Sequence, residues 1–107
     1  MPGRKRFALI YPPIIKKHLL SIEPKYYSLI RENLQTQLQN SPDRETGNRK
    51  PLKRPVVSGA KWEIRFGPNN RFRAYYRIEY DTQQVFILAT GEKTGYRLFI
   101  GEEEVEI

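Results

Sequence analysis

The chain has no cysteine, one histidine and one tryptophan in 107 residues. Without cysteine there are no disulfides, no thiolate metal sites and no thiol nucleophile. With His18 alone, a multi-histidine metal site is excluded and a Ser-His-Asp triad has a single residue to draw on. Long hydrophobic runs are missing too. The longest, residues 7–11 and 85–89, fall far short of the ~20 apolar residues of a membrane span. The run at 7–11 is also too short for a signal-peptide core, and Pro12-Pro13 follows it. The expectation is a cytoplasmic chain with no membrane partner, no cofactor and no metal. Acidic residues are scarce as well: twelve against nineteen Lys/Arg, a formal charge of +7.

What is present suffices for one small core, so residues 1–107 are read as a single domain. Residues 41–60 form a basic connector holding Arg44, Arg49, Lys50, Lys53 and Arg54, punctuated by Pro42, Gly47, Pro51, Pro55 and Gly59. Residues 101–107 form an acidic tail, a solvated end or edge strand set against the chain's own basic face. The rest of the chain is positive throughout, and a positive domain draws polyanions, nucleic acid being the commonest.

Residues 6–11 are β-prone and bounded by proline, which predicts a first strand. Pro12-Pro13 suits a helix start, and Ile15, Leu19 and Ile22 share one side of a short helix over 14–21. Pro24 opens a second helix to about Gln39, where Tyr27, Ile30, Leu34 and Leu38 form an apolar stripe. From Lys61 the period becomes two. Trp62, Ile64 and Phe66 alternate with Lys61, Glu63 and Arg65. After the turn cluster Gly67-Pro68-Asn69-Asn70, the set Phe72, Ala74, Tyr76, Ile78 and Tyr80 alternates with Arg71, Arg73, Tyr75, Arg77 and Glu79. A second turn, Asp81-Thr82-Gln83-Gln84, precedes the unbroken apolar run 85–89, as for a central strand covered on both faces. Residues 96–100 suggest a further strand. The order β-α-α-β-β-β predicts an α+β fold: an antiparallel sheet of four to five strands with an N-terminal helical hairpin packed on one face.

Successive strand residues point to opposite faces. Pairing the two alternating strands therefore puts Lys61, Arg65, Arg71, Arg73 and Arg77 together, with Glu63, Tyr75 and Glu79 among them. Core stability does not need crowded cations, and guanidinium binds phosphate through paired hydrogen bonds, so this face is read as anion-binding. The plain alternative is a solvated face on which Glu63 and Glu79 offset the repulsion. The reading requires Arg65 and Arg73 to point the same way and not to be locked internally against a carboxylate. Gly91-Glu92-Lys93-Thr94-Gly95 lacks the spacing of a phosphate loop and reads as a hairpin turn whose Lys93 adds charge. His18 reads as structural, and Trp62 as a core anchor.

Leu52, then Trp62-Glu63-Ile64-Arg65-Phe66-Gly67, then Arg71-Phe72-Arg73-Ala74-Tyr75-Tyr76, then Val85-Phe86-Ile87-Leu88-Ala89-Thr90-Gly91-Glu92-Lys93 occur in an order and spacing that resembles the RelE/ParE superfamily of bacterial type II toxin–antitoxin toxins, from about residue 6 to 106. The resemblance implies a small toxin neutralised by a cognate acidic antitoxin. RelE-like members cut mRNA in the ribosome without metal and stop translation; ParE-like members inhibit DNA gyrase. Position by position, it implies that Arg73 clamps phosphate, that Arg65 and Lys61 are basic residues of the preceding strand, and that Lys53 is a loop lysine. Lys61, Glu63 and Tyr96 are candidates for proton transfer, and Lys53, Arg71, Arg77, Lys93 and Arg97 for RNA binding. Residues 101–107 lack the His or Tyr that many active members carry after the last strand. A ParE-like gyrase inhibitor and a catalytically inactive RNA-binding relative therefore stand as alternatives to the endoribonuclease.

Overall fold

The period-two segments become strands of one sheet, and proline and glycine set their limits. The computed structural model of the chain describes residues 6–106; Arg4 and Lys5 of the basic N-terminus and the final Ile107 lie outside the described residues. β1 (Ala8–Ile10) leads through Pro12-Pro13 into α1 (Ile14–Leu19). A 3-10 turn at Pro24–Tyr26 runs into α2 (Tyr27–Leu38). Then follow β2 (Arg49–Pro51), β3 (Trp62–Phe66), β4 (Phe72–Glu79), β5 (Gln84–Thr94), β6 (Arg97–Ile100) and β7 (Glu103–Val105). The α+β expectation holds, with more strands than the four to five anticipated.

The sheet runs β2-β3-β4-β5-β6-β7, with β1 on the free flank of β5. Two of the extra strands, β2 and β7, are only three residues long, too short for a periodic signal. β2 lies inside the segment read as connector, and β7 inside the acidic tail. One pairing also departs from the antiparallel expectation. β1 is separated from β5 by both helices and by β2, β3 and β4, far enough to run parallel to it, with Leu9 opposite Val85.

The helices cover one sheet face. Ile15, Ile22, Ile30, Leu34 and Leu38 pack on Ile64, Phe66, Phe72, Ala74, Tyr76, Val85 and Ile87. Leu34 and Leu38 are wholly buried, and truncating either to Ala would cost ~2–5 kcal/mol by cavity formation. Trp62 joins this core as expected, stacked on Tyr76 with ring centroids 6.2 Å apart.

The opposite face is not simply a solvated charged surface. The connector folds back over it. Leu52, Val56, Val57 and Ala60 pack against Tyr75, Leu88, Ala89, Leu98, Ile100 and Val105 in a second, smaller core. A bulge in β5 makes this possible. Tyr75 pairs with Ala89 and Tyr76 with Ile87, so Leu88 is an extra residue, and it joins Ala89 in the second core. The run 85–89 is thus apolar throughout because it serves both faces, as its pattern implied.

Candidate functional site

The register of β3 and β4 decides which charges meet. Arg65 pairs with Arg73, and Glu63 with Tyr75, so all four side chains emerge on the second face, beside the small core. They line a concave pocket of about 500 Å³ together with Lys50, Leu52, Arg54, Pro55, Val56, Lys93, Leu98 and Glu106. Five cations and two carboxylates therefore share one cavity whose wall is partly apolar.

Glu63 is its hub. It is buried, where an unpaired carboxylate would be costly. Tyr75 Oη donates to its Oε2 at 2.8 Å and Arg65 Nε donates to Oε1 at 3.2 Å. Arg73 Nη1 stands 3.7 Å from Oε2, and Lys50 Nζ 4.0 Å from Oε1. One negative charge thus serves three cations.

Arg73 is buried on this floor, and its Nε has no hydrogen-bond partner among the described residues. Loss of hydration, and then the positive charge of Arg65, hold its pKa below the ordinary arginine value. A guanidinium is nevertheless charged at any working pH. The result is an undercompensated buried cation opening into a pocket, an environment that favours an anion. Gly91 is the cross-strand partner of Arg73 on β5, and the side chains of Leu98 and Ile100 fill the space that a side chain at 91 would take. The Tyr75 phenol is pushed well above its ordinary range, chiefly by burial and then by the Glu63 carboxylate. It is a donor here, not a base.

Of the residues singled out from sequence, the fold brings Glu63, Arg65, Arg73 and Lys93 into the pocket. Arg65 and Arg73 point the same way, as required, but both contact a carboxylate, which the sequence reading counted against an anion site. The other residues go elsewhere. Lys61 precedes β3, is exposed, and does not line the pocket. Tyr96 sits in the β5–β6 turn, 95% exposed. Lys53 is exposed on the connector, whose neighbours Lys50 and Arg54 line the pocket instead.

Arg71 precedes β4 with helical backbone angles, which breaks the alternation. Its side chain pairs with Glu92 at 2.5 Å and donates to Tyr26 Oη at 3.1 Å. It lines an adjoining cleft shared with Arg73 and Lys93. Arg77 lies over the Phe86 ring at 4.3 Å and is paired with Glu79. Arg97 is paired with Glu104 at 3.8 Å.

Sequence reasoning gave no site role to Lys50 and Arg54, which lie in a segment without periodicity, or to the Tyr75 hydroxyl, whereas Glu106 lines the basic pocket as a tail set against the chain's own basic face would. Consecutive Tyr75-Tyr76 was the available signal: two large rings side by side on a strand require apolar cover on both faces. Among the described residues no three His, Asp or Glu side chains gather as metal ligands, and no helix is long and apolar enough to cross a membrane.

No protein-family model matches the chain, and no curated protein matches it. Among solved structures it is similar to a chain of the crystal structure of the toxin–antitoxin complex RelBE2 from Mycobacterium tuberculosis. The TM-score is 0.65 and the identity 22%, over 82% of this chain and 99% of that one. The two chains share one fold. The α+β architecture expected from the sequence is therefore one already seen in a chain of a toxin–antitoxin complex.

Proposed function

We propose that the chain is the toxin of a type II toxin–antitoxin pair and cuts mRNA on the ribosome, without a metal ion, through the pocket around Glu63. The observation that carries this reading is the buried, undercompensated Arg73 at the floor of a pocket holding five cations and two carboxylates. The contacts of both arginines with Glu63 do not close the site to phosphate, because one carboxylate is outnumbered by Lys50, Arg65 and Arg73.

A phosphodiester entering the pocket takes over the cations, and Glu63 becomes free to accept a proton. Glu63 removes the ribose 2′-hydroxyl proton, and the 2′-oxygen attacks phosphorus. Arg73 and Arg65 stabilise the negative charge that grows on the phosphorane. The bond to the 5′-oxygen breaks as that oxygen takes a proton from Lys50 or Lys93 on the rim. The products are a 2′,3′-cyclic phosphate and a 5′-hydroxyl. The cognate antitoxin is an acidic protein whose carboxylates cover the same cations, desolvated pairs of this kind giving slow dissociation.

The test is induced expression without antitoxin, followed by mapping of transcript ends. Growth arrest with new 5′-hydroxyl ends in translated messages, absent for Arg73→Ala, supports the reading. Growth arrest with intact messages and a DNA-damage response would assign the chain to gyrase inhibition instead.

A further inference from the structure

The two oxygens of the Glu63 carboxylate meet different kinds of partner. Oε2 meets Tyr75 Oη at 2.8 Å and Arg73 Nη1 at 3.7 Å, both from buried side chains. Oε1 meets Arg65 Nε at 3.2 Å and Lys50 Nζ at 4.0 Å, whose side chains are 38% and 52% exposed. We propose that Tyr75 is a positioning residue for the cleavage reaction: its hydroxyl pins Oε2 and fixes the rotation of the carboxylate, so that Oε1 takes the proton from the ribose 2′-hydroxyl. This inference rests on the RNA-cleaving reading above.

Asymmetry of mobility supports the assignment. Arg65 and Lys50 can swing toward substrate phosphate without disturbing any core, which uncovers Oε1. Tyr75 cannot swing, because its ring is fully buried in the second core among Ala60, Ala89 and Leu98. A phenylalanine would fill that core equally well, and among the described residues the side-chain hydrogen bond of the Tyr75 hydroxyl goes to Glu63. Burial and the adjacent carboxylate keep the phenol protonated, so it orients the carboxylate without exchanging its proton. The charged and titratable groups facing Glu63 are Lys50 from β2, Arg65 from β3, and Arg73 and Tyr75 from β4.

Tyr75→Phe removes the hydroxyl and keeps the ring. Single-turnover cutting of a ribosome-bound message is expected to slow by about 10- to 100-fold, the scale of one hydrogen bond to a charged group, with half-saturation changed less than twofold. In a Glu63→Gln background, Tyr75→Phe is expected to slow the residual cutting no further. A role confined to packing would slow it equally in both backgrounds. An unchanged rate in a chain that cuts RNA, or equal slowing in both backgrounds, would overturn the positioning role alone. A parent chain that leaves ribosome-bound message intact would overturn the cleavage reading beneath it.

Discussion

Arg65 and Arg73 are direct cross-strand partners, and a single carboxylate, Glu63, contacts both. Like charges opposite each other on a sheet repel, and a fold has no need of such a pair for its core. On the proposed reading, its use lies in the phosphate it attracts. Arg73→Ala is expected to lower cutting by about 100- to 1000-fold, as for loss of one preorganised transition-state donor, and to restore growth on induction. Arg65→Ala, at the more exposed position, is expected to cost less. The measurement is growth after induction together with circular dichroism of the purified variants. If both folded variants remain as toxic as the parent chain, the pocket is not the site of action.

The arginine pair was legible in the sequence because alternation fixes the face once the hairpin is accepted. Arg71 was misplaced by the same rule. Its backbone is helical, not extended, so counting in twos from Arg73 put it on the wrong side. The second core was illegible for a different reason: Leu52, Val56 and Val57 are scattered in a proline-rich segment, and only the long-range fold shows that they cover Tyr75. That hidden cover turns Glu63 from an exposed acid into a buried hub. β7 is the edge strand that the acidic tail was read as one way of forming, and its three residues, two of them glutamates, could not decide between that and a solvated end.

On the proposed reading, Glu63→Gln separates binding from cutting. The substitution removes one negative charge from a pocket of five cations and two carboxylates, so the neutral amide competes less well with phosphate for Arg65 and Arg73. RNA binding by the purified variant is expected to tighten by about 3- to 10-fold at low salt and to depend more steeply on salt, while cutting falls at least 100-fold. Titration of a labelled single-stranded RNA at two or more salt concentrations checks the first part, and transcript mapping the second. Weaker binding by this variant would mean that Glu63 organises the cations and does not compete for them.

Gly91 is a point where the site and the sheet share one constraint. A β-carbon there would lie 2.7 Å from the Phe99 carbonyl oxygen and 3.1 Å from Ile100 Cγ1. The clash falls on the β5–β6 pairing, opposite Arg73. Gly91→Ala is expected to cost ~1–3 kcal/mol by overpacking, read as a lowered urea midpoint. Gly95→Ala is the control for crowding, since nothing lies within 4 Å of its β-carbon position; its positive φ adds a smaller backbone penalty. If Gly91→Ala is the milder of the two, β6 is not packed against β5 as described.

His18 ties α1 to the sheet, its Nδ1 accepting from the Thr90 backbone N–H at 3.3 Å. It lines a cleft with Lys17, Glu102 and Glu103. Burial holds its pKa below the ordinary histidine value, and protonation of Nδ1 would remove the acceptor. The unfolded histidine titrates near ~6.5. Above that pH both states are neutral here, and this group adds no pH dependence. As pH falls below it, the unfolded chain takes up a proton that the folded chain does not, and stability declines until the folded pKa is passed. Thermal melts of the parent chain and of His18→Gln between pH 8 and 5.5 should therefore diverge only on the acid side, the parent losing a few °C more, on a scale where 1 kcal/mol moves Tm by about 4–8 °C. Parallel melting curves across the range would show that His18 stays neutral, or exchanges its proton freely, in both states.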